Sequence, residues 1–429
     1  MKCRVKNITD GLIWVAIAAY FALVPLAVVI TEDSGTGKYF LLAPLLVMMV
    51  AKIISTGGKI TVGICGYDIY LLVFALFIYA SALWADNSSF AIIKANNMVE
   101  VLIAMYVIRV CLPENNHIVN LLKCLMWGSF GIVAYAIFRY GWVYITYAIS
   151  SDTRMVSTII NANTLGMGAA FAMLISVFLL LYNGFNLGLI ASIPTFFVLA
   201  ASGSRKALFI FVFGVAVLFI TKILGNKDFF KSIFYVLISL VVIIIAVYQL
   251  SKLSMFEGVN ERIVGLLNGL LGKGQVDHST SVRFKMIEIG MNLFAQKPVL
   301  GVGIDNAKIY TESVFGVANY YLHNNYVELL ADGGIVGTFI YYSVFIFLLR
   351  RLWKNRDFTS GEFNVVFLIL ILRLILDYGM VSYESKNTYF YLLIFYLEYE
   401  KLKANKQSET KSIMGDGIYE ELWRSGERE

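Results

Sequence analysis

The sequence predicts an all-α, polytopic membrane protein with about twelve transmembrane helices and one large extracytoplasmic loop. Of its 429 residues, 59% are hydrophobic and 15% are charged, which is more apolar surface than a soluble core of this size can bury. Long apolar runs favour helices, because a transmembrane barrel needs short segments of alternating polarity. Many further apolar runs follow the first, which is therefore predicted to span the membrane rather than to be a cleaved signal peptide.

Each predicted span is an apolar window long enough to cross a hydrocarbon core of about 30 Å. The windows lie near residues 11–30, 39–55, 67–84, 91–111, 117–139, 164–182, 187–202, 206–224, 231–250, 333–350, 363–381 and 386–401. The fourth window is interrupted by Lys94 and Glu100, and the seventh is short. Loss of either span would reverse the orientation of every later one.

These windows divide the chain into four parts. Residues 1–250 are predicted to hold nine helices, and residues 251–332 to form an extracytoplasmic loop that carries the catalytic motifs. Residues 333–401 are predicted to hold three more helices. The polar segment 402–429 is expected to be a mobile cytoplasmic tail.

Lysine and arginine are concentrated in alternate connections, as the positive-inside rule requires if the amino terminus is cytoplasmic. The net charge of +6 is spread over these connections, which fits membrane orientation better than nucleic-acid binding. The predicted inside segments carry Lys2, Arg4, Lys6, Lys52, Lys59, Lys222, Lys227, Lys231, Arg350, Arg351, Lys354, Arg356, Lys401, Lys403 and Lys406.

His323 is the candidate general base. It directly precedes a predicted membrane helix, and a neutral imidazole can accept a proton from a sugar hydroxyl if a neighbour holds the right tautomer. Asn324, Glu328 and Asp305 are candidate orienting partners. A lone histidine is more often structural than catalytic, and we interpret the other two histidines in that way.

Three arginines are candidate anion-binding residues, although an arginine beside lipid is often only an interfacial anchor. Arg205 follows Ser204 in a tight turn between two apolar spans, Arg283 opens an amphipathic stretch, and Arg154 lies shortly before an Asn-Ala-Asn segment. A guanidinium can hold a phosphate group through two hydrogen bonds and stays charged at any relevant pH. This chemistry suits a pyrophosphate leaving group.

The glycines do not form a nucleotide-binding motif. Gly301 and Gly303 lack the spacing of a Rossmann or Walker element, and Gly334 and Gly337 are predicted to let a loop turn into a tightly packed helix. We find no His or Cys cluster with metal-ligand spacing, so a metal is not implied.

The order of these motifs resembles the O-antigen ligase and polymerase superfamily of bacterial envelopes. One departure is Asn161-Ala162-Asn163, where the superfamily commonly has Asn-Pro-Asn, and it affects the expected turn more than the activity. The resemblance covers roughly residues 150–345. It rests on Asn161-x-Asn163, Ser204-Arg205, Ser281-Val282-Arg283-Phe284, Pro298-Val299-Leu300-Gly301-Val302-Gly303, and His323-Asn324 followed by Gly334-x-x-Gly337.

The resemblance implies a metal-independent glycosyltransferase with a GT-C-like helical fold and no cofactor. It would use an undecaprenyl-pyrophosphate-linked glycan as donor, at the extracytoplasmic face of the bacterial cytoplasmic (inner) membrane. His323 would be the general base, and Arg205, Arg283 and Arg154 would bind the donor pyrophosphate. The implied partners are this donor, a glycan acceptor, membrane lipid and other polysaccharide assembly proteins.

The predicted reaction is elongation of a surface polysaccharide, such as O-antigen, capsule or exopolysaccharide. A ligase that moves a finished glycan onto lipid A core or another acceptor is the nearest alternative, because both would use the same machinery. A transporter or flippase is a more distant one. Lys94 and Glu100 inside the fourth window would suit a transporter, but the sequence has no duplicated half and its polar groups concentrate on one face.

Overall fold

A computed structural model describes residues 2–34, 37–113, 117–150, 155, 161–224, 278–316 and 321–426. Within these ranges the secondary-structure elements are all helices, which confirms the predicted helical class. The helices are α1 (Lys2–Ser34), α2 (Gly37–Phe40), α3 (Leu42–Thr56), α4 (Gly66–Ser81), α5 (Ser88–Cys111), α6 (His117–Tyr140), α7 (Trp142–Ser150), α8 (Ala162–Asn183), α9 (Leu187–Ser202), α10 (Arg205–Leu224), α11 (His278–Gln296), α12 (Ala307–Phe315), α13 (Asn325–Lys354), α14 (Gly361–Asp377) and α15 (Lys386–Gly426).

Several of these helices have the length and composition of membrane spans, as expected of a multi-pass protein. The predicted span 231–250 lies outside the described residues, so the number twelve stays a prediction, as does the GT-C-like fold. Segments long and apolar enough to cross a membrane are Val5–Leu26, Ser88–Cys111, His117–Tyr140, Ala162–Asn183, Arg205–Ile223 and Asn325–Lys354, and shorter apolar helices cover Leu42–Thr56, Gly66–Ser81 and Leu187–Ala201.

The helix α13 begins before the predicted span 333–350, and its helical conformation is interrupted where that span starts. Asn325 is already helical, whereas Gly334 has φ 60° and ψ −163°. A Cβ atom at this position would lie 2.3 Å from the carbonyl oxygen of Val299, so both the backbone conformation and the space require glycine. The span and the short polar helical segment before it are therefore distinct parts of one element.

Close approach between α4 and α13 holds the loop-proximal end of the bundle together. A Cβ atom at Gly337 would lie 2.6 Å from Cε1 of Phe77, and the Tyr70 hydroxyl donates to the Tyr341 carbonyl at 3.1 Å. This packing agrees with the predicted part of Gly337 as a packing residue rather than a phosphate cradle.

The segment between α11 and α12 docks on α13 through backbone hydrogen bonds. The N–H groups of Val302 and Gly303 donate at 2.9 Å to the carbonyls of Ala331 and Asp332. The buried Asp332 carboxylate in turn accepts a hydrogen bond from the N–H of Ala307 at 2.7 Å, which satisfies the first turn of α12. Part of the predicted extracytoplasmic loop is thereby attached rigidly to the bundle.

The predicted tail 402–429 is helical as far as Gly426, because α15 runs from Lys386 to Gly426, while its mobility and its cytoplasmic location stay predictions. Its polar part is rich in Lys and Glu and contains no proline, and Lys and Glu favour a helix even without an apolar face. Composition alone did not distinguish a polar helix from a disordered tail.

Candidate functional site

His323 lies between Leu322 and Asn324, both of which are held in place by hydrogen bonds. The Asn324 side chain caps α13, accepting hydrogen bonds from the first N–H groups of the helix, and the Glu328 carboxylate accepts one from the buried Leu322 N–H at 2.6 Å. His323 itself has φ 56°, a left-handed conformation that only a well-determined surrounding structure maintains in a residue with a side chain. Its imidazole contacts the Tyr321 ring, with 4.1 Å between the ring centroids.

Close packing of α11 on α13 at Gly290 places Arg283 near His323. The helix α11 packs so closely on α13 at Gly290 that a Cβ there would lie 2.4 Å from Cγ1 of Val327 and 2.6 Å from Cδ1 of Leu322. Arg283 lies two helical turns before Gly290 and therefore on the same face of α11. Since Leu322 is the immediate neighbour of His323, this packing brings Arg283 near the imidazole, and both residues line the same two spaces.

His323 and three cationic side chains line one cavity of about 230 Å³, which we call the basic cavity. The cations are Lys206 from α10, Arg283 from α11 and Arg373 from α14. The described lining of this cavity includes no aspartate or glutamate. An anion that enters it therefore meets positive charge from three helices that are far apart in sequence.

Arg373 was not recognised from the sequence. It is 5% exposed, its guanidinium donates to the Thr388 hydroxyl at 2.8 Å and lies 5.6 Å from the centre of the Tyr391 ring, and the Asp377 carboxylate is 4.0 Å away. Its Nε has no hydrogen-bond partner among the residues described. An arginine inside the apolar window 363–381 is itself a signal of function, because burying such a charge is costly.

Burial and charge both act on the imidazole. Burial, and after it the positive charges of Arg283 and Lys206, lower the pKa of His323 to about 4. The ring is therefore neutral at physiological pH and has a lone pair available to accept a proton.

An apolar groove of about 370 Å³ continues from the basic cavity and shares Lys206, Arg283 and His323 with it. Its other walls include Phe284 and Tyr378, which are 61% and 68% exposed. Arg205 lines this groove, whereas its neighbour Lys206 lines both the groove and the basic cavity. The ammonium group of Lys206 also donates to the carbonyl of Gly379.

The first turn of α8 contributes polar groups to the basic cavity. Asn161 and Asn163 both line it, and the Asn161 side chain accepts a hydrogen bond from the Asn163 N–H at 2.9 Å. This cap forms without the proline that the superfamily commonly has between the two asparagines. The preceding candidate, Arg154, lies outside the described residues.

The predicted supporting residues contribute to the backbone more than to the cavity. The Ser204 hydroxyl accepts from the Ala207 N–H at 3.4 Å at the start of α10. Asp305 binds Lys308 at 2.7 Å and lies 3.6 Å from Lys94. The orienting role predicted for Asp305, Asn324 and Glu328 stays a prediction, and the hydrogen bonds of these side chains within the described ranges go to neighbouring residues.

Comparison with known proteins supports the superfamily that the motifs indicated. A family model described as O-antigen ligase matches residues 190–342. The matched segment contains Arg205, Arg283 and His323 but ends before Arg373. The comparison with curated proteins found no match.

Proposed function

We propose that this chain, of which residues 190–342 match a family model described as O-antigen ligase, is a glycosyltransferase that elongates a surface polysaccharide. The donor would be an undecaprenyl-pyrophosphate-linked oligosaccharide, used at the extracytoplasmic face of the cytoplasmic membrane. The observation that carries this proposal is the joint lining of one cavity by the neutral His323 and the cations of Lys206, Arg283 and Arg373.

The donor fits the two connected spaces. Its pyrophosphate would lie in the basic cavity, where guanidinium groups form charge-assisted hydrogen bonds with phosphate oxygens. The Nε of Arg373, which has no partner among the described residues, would gain an acceptor there. The isoprenoid chain would follow the apolar groove past Phe284 and Tyr378, with Arg205 at its rim. Such a donor has an anionic part that complements the basic cavity and an apolar part that complements the groove.

Transfer would then be a single displacement. His323 would remove the proton of the acceptor hydroxyl as its oxygen forms a bond to the anomeric carbon. The bond from that carbon to the phosphate oxygen would break, and undecaprenyl pyrophosphate would leave with its added charge stabilised by Arg283, Arg373 and Lys206. One displacement inverts the anomeric configuration, and the energy of the reaction comes from the donor bond.

A bound donor would also strengthen the base. Arg283 and Lys206 weaken the imidazole as a proton acceptor in the empty site. The negative pyrophosphate would offset these charges and raise the proton affinity of His323. Proton removal would thus be favoured when the donor is in place.

The test compares His323→Ala with the parent protein, both purified in detergent or nanodiscs. We expect the variant to bind the lipid-linked donor with similar affinity, while transfer falls by roughly 100-fold or more, the usual contribution of a general base. Normal turnover by the variant would exclude His323 as the base. Loss of donor binding would instead assign His323 to the pyrophosphate site.

The products of the parent protein separate the two reactions that the superfamily includes. Incubation with the lipid-linked repeat unit alone is expected to yield a ladder of longer glycans on the same lipid. A single adduct that forms only when a different acceptor is added would identify a ligase instead. No glycan transfer in either incubation would contradict the proposed enzyme.

A further inference from the structure

A second cavity adjoins the basic cavity, and its chemistry is different. Its volume is about 420 Å³, within the usual range for a binding site of a small organic ligand. The two cavities share Pro25, Thr164, Ser385 and Asn387 in their linings, so they meet along the segment that leads into α15. His323 lines the basic cavity but not this second one.

The charges in the second cavity are paired. Lys94 forms a salt bridge with Glu384, and Lys386 forms one with Glu100 at 2.9 Å. All four side chains line the cavity, and none is fully buried. We call this space the charge-balanced cavity. A ligand there meets two positive and two negative side chains, so neither charge is in excess, in contrast to the basic cavity.

Amide groups complete this lining at the junction of the two cavities. Asn387 belongs to both linings, and its side-chain carbonyl oxygen is buried without a hydrogen-bond donor among the described residues. Asn97 lies elsewhere in the charge-balanced cavity. A buried acceptor without a donor costs free energy, and a ligand hydroxyl can supply that donor.

From these features we propose that the charge-balanced cavity is a saccharide subsite. A neutral sugar presents hydroxyl groups that both donate and accept hydrogen bonds, and it can therefore pair with carboxylates, ammonium groups and amides at once. The inference rests on the proposed function, because a glycan attached to a pyrophosphate in the basic cavity, or one that approaches it, can extend through the shared boundary. The bound sugar belongs either to the donor glycan or to the acceptor glycan.

The test narrows the cavity without changing its charges. Val101 on α5 is 2% exposed and lines the charge-balanced cavity but not the basic cavity or the apolar groove. Val101→Phe fills part of the space, and Ile93→Phe makes the same kind of enlargement on an exposed face of the same helix. Asn387→Ala, which removes the carbonyl without adding volume, is the second variant if Val101→Phe does not fold.

Three ligands locate the effect: sugar-free undecaprenyl pyrophosphate, the glycan-bearing lipid extracted from the producing cells, and the oligosaccharide that mild acid releases from it. Val101→Phe should bind the sugar-free lipid like the parent. If the cavity holds the donor glycan, affinity for the glycan-bearing lipid should fall roughly tenfold, as a misfit in a shaped pocket produces. If it holds the acceptor glycan, the KM for the free oligosaccharide as acceptor should rise by a similar factor. Ile93→Phe should change neither quantity.

Equilibrium binding of the free oligosaccharide separates this inference from the proposed reaction. If the parent binds it and Val101→Phe or Asn387→Ala binds it at least several-fold more weakly, the subsite stands even if the parent transfers no glycan. If the folded variants match the parent in oligosaccharide binding, in affinity for the glycan-bearing lipid and in KM, the subsite is overturned, whatever the turnover of the parent.

Discussion

His323 combines a left-handed backbone, a neighbouring aromatic ring and two nearby cations that make it a weak base in the empty site. None of these features follows from the identity of the residue. The sequence identified the imidazole through its position before an apolar run, and its ordinary pKa near 6.5 would have predicted loss of activity just below neutral pH. The structure changes that expectation.

We expect kcat/KM for the lipid-linked donor to stay level from neutral pH to roughly one unit above the pKa of His323. The pKa is lowered to about 4, so the ring stays neutral over this range and becomes protonated only below it. The midpoint for kcat should lie at higher pH, because bound pyrophosphate offsets the charges of Arg283 and Lys206. A kcat/KM midpoint at the ordinary histidine pKa would contradict the inferred surroundings of the imidazole.

Arg373→Gln should weaken binding of undecaprenyl pyrophosphate about tenfold or more, since one charge-assisted hydrogen bond contributes roughly 1.5 to 3 kcal/mol. Thr388→Val is the matched control, because it removes the 2.8 Å hydrogen bond to the guanidinium and keeps the charge. Both variants are compared by lipid binding and by thermal unfolding. Equal losses of affinity in the two variants would mean that Arg373 supports the fold only.

At the scale of helices, the site depends on how closely α11 approaches α13. Gly290 permits that approach, and the buried cluster of Met286, Leu293, Leu322 and Val327 holds the two helices together. The position of Arg283 therefore depends on how tightly α11 and α13 pack together. A site built in this way should be sensitive to a small change that touches none of its charged groups.

Gly290→Ala should therefore lower glycan transfer and the temperature of unfolding, because its Cβ would lie 2.4 Å from Cγ1 of Val327. Overpacking of this kind costs about 1 to 3 kcal/mol. Gly131→Ala on α6 is the control, since its Cβ would make an ordinary 3.6 Å contact with Ala22 and alanine favours the helix. If Gly290→Ala is as stable and active as Gly131→Ala, the close packing is not what positions Arg283.

At the scale of the whole molecule, the orientation in the membrane decides whether the site can meet an extracytoplasmic donor. The predicted sidedness rests on the alternation of basic connections and on spans that include the undescribed segment 231–250. One additional or missing crossing in that segment would move α11 and His323 to the opposite side.

A cysteine at Ser281 is expected to react with a membrane-impermeant thiol reagent added to intact spheroplasts, because Ser281 is exposed at the start of α11. A cysteine at Lys354, at the far end of α13, should react only after the membrane is disrupted. Both substitutions are made in a chain whose four native cysteines are replaced. The reverse labelling pattern would place the basic cavity on the cytoplasmic side.

The sequence by itself indicated the helical membrane class, the resemblance to the superfamily and two of the polar residues in the basic cavity, His323 and Arg283. Apolar windows predict helices because a lipid environment requires internal hydrogen bonding. His323 and Arg283 were identifiable because they lie in a polar interval with recognisable motifs. A polar composition is compatible with both a helix and a coil, so the sequence did not predict that α15 continues to Gly426.

Only the tertiary structure decided which charges share a space. Lys206 rather than Arg205 lines the basic cavity, and Arg373 joins it from a helix beyond the family match. The pairing of Lys94 with Glu384 likewise brings α5 to the loop before α15. Residues so distant in sequence meet through helix packing, which depends on the shapes of many side chains at once, and a linear motif records only neighbours along the chain.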